Sequence, residues 1–75
     1  MQVSSVGEYE DRFQEWWKRT GDEVLSYPYL AGIIEAIVEG NGPAEHKIAE
    51  IRNAITAFHR LRGKRAADRD PQPAG

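Results

Sequence analysis

The residues in this 75-residue chain able to do chemistry are few. They are His46, His59 and two carboxylate pairs, Asp11/Glu15 and Glu35/Glu39. The histidines fall thirteen positions apart on one predicted helix, about 20 Å along its axis, so they cannot share a metal ion or a proton path within one chain. The carboxylate pairs have i,i+4 spacing, which most often makes a solvated helix face. A second copy could bring two such pairs together, but the Glu-x-x-His partner pattern of di-iron bundles is missing. No HExxH, CxxC, GxSxG, P-loop or GxGxxG occurs. With no cysteine there is no thiol chemistry and no disulfide. The expectation is therefore no catalytic residue, no metal site, no cofactor and no enzyme.

What must be explained instead is apolar surface. The run from Pro28 to Glu39 contains Leu30, Ile33, Ile34, Ile37 and Val38, with Ala31 and Ala36 between them. Their i, i+3, i+4, i+7, i+8 spacing predicts a helix over 28–39 whose apolar arc reaches roughly 220°. Pro28 suits its first turn and Gly40 its end. Gly32 and Ala36 make a flat strip at i,i+4, which Ala54 and Ala57 could answer.

Two further helices are predicted around it. Val6, Tyr9, Phe13, Trp16 and Trp17 share about 100° of arc in a helix over 6–20. Ser5 and Glu8 have capping-box spacing, and Gly21 suits a left-handed stop. Glu8–Arg12 and Glu15–Arg19 are favourable i,i+4 pairs. Asp22 to Tyr27 is too apolar for a free linker and reads as a packed turn or one short helical turn. Gly40-Asn41-Gly42-Pro43 breaks the chain. A helix over 43–62 follows, with a seam of Ile48, Ile51, Ile55 and Phe58 widened by Ala44, Ala54 and Leu61, and with Gly63 past its end. Residues 64–75 carry no large apolar side chain and are expected to be a disordered, basic, Pro-containing tail.

The fold class is thus all-α: a small three-helix domain over 1–63, a helical hairpin of the second and third helices plus an N-terminal amphipathic helix. The second helix is expected at the centre of the core, so that a charge at Ile34 or Ile37 unfolds the domain. About 60 orderable residues make a core worth a few kcal/mol at best, which favours oligomerisation. Charge is uneven: residues 1–45 hold nine acids and three bases, and residues 46–75 three acids and seven bases. A homodimer that sets the acid-rich half of one chain against the base-rich half of the other, through the second and third helices, is expected. The N-terminus has no basic region followed by an apolar core, so no secretory signal is read there, and the longest apolar run is about half of what spans a bilayer. A cytoplasmic location without membrane contact is expected.

Function then reads as contact rather than chemistry. The first class is a protein–protein interaction module: a small regulator, adaptor or inhibitor, compositionally like those encoded by phages or mobile elements. Its expected partner-binding residues are Trp17, Tyr27, Tyr29, Ile34 and Val38; tryptophan and tyrosine are enriched at hot spots. The alternative is a DNA-binding regulator using Arg60, Arg62, Lys64 and Arg65 at the end of the third helix. Nucleic acid is the less favoured partner, because Glu45, His46 and Glu50 would lead the reading helix and the domain is acidic.

Overall fold

The computed structural model describes residues 3–69, the side chains of 67–69 excepted. Among these residues three helices are present: α1 (Val6–Thr20), α2 (Tyr27–Glu39) and α3 (Ala44–Arg69). A single 3-10 turn, Asp22–Leu25, connects α1 to α2. The all-α class and the start and end of α1 agree with the sequence reading. α2 begins one residue early, at Tyr27. No helix of the described residues is long and apolar enough to cross a membrane.

Each boundary has a local cause. Ser5 Oγ accepts from the backbone N–H of Glu8 at 3.1 Å, and the Glu8 carboxylate accepts from the backbone N–H of Ser5 at 2.9 Å. Two of the orphan donors that open a helix are thereby satisfied. The backbone donor at Ser5, followed by its hydroxyl, holds the Glu8 carboxyl below the usual carboxylate range. Glu8 is thus occupied at the cap, and Arg12 turns its guanidinium to the Tyr9 ring, 5.2 Å from the centroid. Glu15–Arg19 forms as expected, at 3.8 Å. Gly21 ends α1 with φ +85, a value costly for any side chain.

The third helix corrects its expected end. It does not stop at 62 but runs through Gly63 to Arg69. A lone glycine costs a helix only about 1 kcal/mol relative to alanine. Leu61 is fully buried one residue before the expected end, and Arg65 is anchored about one turn beyond it. These contacts outweigh the glycine. Residues 64–69 therefore belong to the helix, and the rest of the expected tail, 70–75, lies outside the described residues.

The core corrects the expected centre. It consists of Tyr9, Phe13, Val24, Leu25, Leu30, Ala54, Ala57, Phe58 and Leu61. From α2 only Leu30 is buried; Ile33, Ile34 and Ile37 are half-buried at the margin. The centre lies instead between α1 and α3, which pack along one another more extensively than α2 and α3 do. Phe13 and Phe58 meet edge-on with centroids 6.3 Å apart. Bulky rings on α1 need small neighbours, and Ala54 and Ala57 supply them in the same buried cluster. The buried side of α3 is accordingly about a quarter turn away from the Ile48–Ile51–Ile55 seam. Gly32 and Ala36 do not meet Ala54 and Ala57: open space surrounds Gly32, and Ala36 is exposed.

Candidate protein-contact surface

With the core between α1 and α3, α2 is left with apolar flanks on both sides. Residues two apart on a helix point about 200° apart, so Tyr27 and Tyr29 cannot share a face. Tyr27 turns toward α3, its ring 5.7 Å from Phe58 and 4.5 Å beneath the Arg62 guanidinium. Tyr29 turns toward α1, 6.0 Å from Trp16. The two flanks of α2 are two different surfaces.

On the Tyr29 side, Glu23, Ser26, Pro28, Tyr29, Gly32, Ile33 and Ala36 enclose a shallow groove of about 450 Å³. The groove is open over Gly32 and Ala36 because these residues place little or nothing above the backbone.

On the Tyr27 side, Tyr27, Ala31, Ile34 and Val38 follow i, i+4, i+7, i+11 and share about 60° of arc. On α3, Ile48, Ile51, Ile55 and Arg62 follow i, i+3, i+7, i+14 and likewise share about 60° of arc. The two stripes run side by side in opposite directions. Tyr27 lies against Phe58 at one end, and at the other the Lys47 ammonium donates to the Val38 carbonyl at 2.8 Å. The residues of α3 that meet α1 lie on its opposite side: Glu50 accepts from the Tyr9 hydroxyl at 2.6 Å, Asn53 donates to the Ser4 carbonyl at 2.8 Å, and Arg60 approaches Glu10 at 3.4 Å. The stripe therefore faces away from α1. It carries all three large hydrophobic residues that are exposed among the described residues: Tyr27 at 59%, Val38 at 52% and Ile48 at 58%.

Of the five expected partner-binding residues, three come together here: Tyr27, Ile34 and Val38. Tyr29 lies in the groove. Trp17 is half-buried, and its indole N–H donates to Asp22 at 3.0 Å, so Trp17, Tyr27 and Tyr29 do not share one exposed surface. Ile48 is the member that sequence reasoning missed. Its helical phase marked it as apolar and in line with Ile55, but gave no means of telling a buried stripe from an exposed one.

The basic end of α3 is largely engaged within the chain. Arg60 pairs with Glu10, Arg62 stacks on Tyr27 and Phe58, and Arg65 grips Asp22. Lys64 is exposed. His46 keeps a buried Nδ1 without a hydrogen-bond partner, whereas His59 is exposed and touches the Phe58 ring. Among the described residues no group of three or more His, Asp or Glu is placed to hold a metal ion.

These features define a small all-α protein whose distinguishing surface is apolar and lies on a helical hairpin. No protein-family model matches the chain, and neither the curated proteins nor the solved structures compared with it include a match.

Proposed function

We propose that this chain is a non-enzymatic protein–protein interaction module: a small regulator, adaptor or inhibitor that binds a partner protein through apolar and aromatic helix faces. The observation that carries the reading is the exposed stripe of Tyr27, Val38 and Ile48, each more than half exposed and none part of the core cluster. Apolar groups held in a contiguous row on rigid helices lose little conformational entropy on docking. Tyrosine, as at Tyr27, is among the residue types enriched where contact energy concentrates.

The DNA-binding alternative has less support. Three of the four expected bases already hold an acid or a ring within the chain, and phosphate would have to compete with those partners. The two readings respond differently to salt, because phosphate contacts weaken steeply as salt rises and apolar docking does not. The test is capture of a host protein by immobilised full-length chain at low and high salt, beside fluorescence anisotropy with random duplex DNA. The module reading expects salt-resistant capture that Ile48→Asp and Val38→Asp reduce without loss of helix content. Salt-sensitive DNA binding abolished by Arg60→Ala and Arg62→Ala, with no dependence on Ile48, would replace it.

A further inference from the structure

We propose that the occupant of the Tyr27–Val38–Ile48 face is a second copy of this chain, with α2 of each protomer lying against α3 of the other. The inference rests on the contact-module reading and names the partner of one of its surfaces. It is carried by the charge around the stripe, not by its apolar character alone.

Consider the flanks. On α2, the outer side of the stripe carries Glu35 and Glu39; on α3, the outer side carries Arg52 and His59, with Glu45 at the first turn. Among the described residues neither Glu35, Glu39 nor Arg52 has an ion-pair partner, although all three are exposed. The chain thus presents an apolar strip with an acid on one edge and a base on the other, and neither is answered within the protomer.

A two-fold axis parallel to the hairpin answers both. It places α2 of one copy over α3 of the other, running antiparallel, and keeps each residue at its own height along the axis. Heights follow from the two ends of the hairpin: Tyr27 is level with Phe58 and Arg62, and Val38 with Lys47. Counting inward at equal rise places Glu35 level with Ile51 and Arg52. Glu35 of each protomer then meets Arg52 of its partner, twice by symmetry. Val38 comes over Ile48, Ile34 over Ile51, Ala31 over Ile55, and Tyr27 over the Arg62 end. The alternative axis, across the hairpin, sets α2 on α2 and brings the acidic edges together, which like-charge repulsion disfavours.

Size is also adequate. A standard stable interface takes roughly 800 Å² per partner, about one seventh of the 5342 Å² this chain exposes. A face two helices wide and about 20 Å long is of that order.

The experiment is sedimentation equilibrium of the full chain over micromolar to millimolar concentration, with helix content followed by circular dichroism. Wild type is expected at twice the 8.5 kDa of one chain. Ile48→Asp is expected to be helical and monomeric. Glu35→Arg and Arg52→Glu singly should each weaken the dimer roughly three- to tenfold, and the double exchange should restore it to within about twofold. The charge variants keep the inference testable if Ile48→Asp does not fold. A monomer at every concentration overturns the dimer, as does a dimer indifferent to Ile48, Glu35 and Arg52. If such a monomer still captures a host protein through Ile48, the module reading survives and only the second copy is wrong.

Discussion

Asp22 and Arg65, forty-three positions apart, hold one another through two parallel hydrogen bonds, with Arg65 Nε 2.8 Å from one carboxylate oxygen and a terminal nitrogen on the other. The same carboxylate accepts from the Trp17 indole. One side chain in the 3-10 turn therefore ties the end of α1 to the last turns of α3. The paired carboxylate raises the pKa of the Arg65 guanidinium further.

This anchor makes the end of α3 part of the fold. Truncation after Gly63 removes Arg65 and leaves the buried Leu61 in a fraying last turn. The melting temperature is expected to fall by more than a few degrees, and Trp17 fluorescence to shift as the indole loses its ordered surroundings. Arg65→Lys should recover little of the loss, since an ammonium cannot reproduce the two-pronged geometry. A truncated chain with unchanged melting and emission would show that α3 ends functionally at 62.

Tyr9 links α1 to Glu50 and sets an alkaline limit. Burial first, then the Glu50 hydrogen bond and charge, push its hydroxyl up to about 12 from 10.0. The folded pKa is raised, so the stabilisation is fully present below pH 10 and is lost as pH rises from about 10 to 12. Tyr9→Phe should lower stability by about 1–2 kcal/mol at neutral pH. It should also flatten the decline above pH 10 that wild type shows in denaturant titrations.

The corrected core is open to direct test. Phe13→Ala and Phe58→Ala should each cost about 3–5 kcal/mol. A core of this size holds only about 3–5 kcal/mol in all, so either variant should be largely unfolded when warmed. Leu30→Asp should unfold the domain, whereas Ile48→Asp should leave helix content unchanged. The opposite ranking in thermal melts would put the Ile48 seam of α3 in the core and Leu30 outside it.

The cap at Ser5 is local and separable. Ser5→Ala should cost about 1 kcal/mol through fraying of the first turn of α1. The lowered pKa of Glu8 adds an acid limb: the folded value lies below 4.5, so its contribution is present above that pH and fades as pH falls through the folded value. Ser5→Ala should shrink that limb, read as a smaller loss of melting temperature between pH 5 and 3.

Much of this protein follows from short-range pattern alone. The three helices, the capping box at Ser5 and Glu8, the glycine stop at Gly21 and the break around Gly42 each depend on residues within a turn or two of one another. Local backbone sterics and hydrogen bonding are enough to specify them. Two decisions lay beyond that range. Gly63 and the polar residues after it look locally like an end, yet α3 continues because Leu61 is buried and Arg65 reaches Asp22 from far along the chain. Periodicity marked one broad apolar seam on α3, Ile48 to Phe58 widened by Ala44, Ala54 and Leu61, without telling which side of it is buried. Tertiary packing chose the side with Ala54 and Ala57, because only small residues let the rings of Tyr9 and Phe13 approach closely. Burying that side against α1 exposed the other, and that choice of side is what leaves Tyr27, Val38 and Ile48 at the surface.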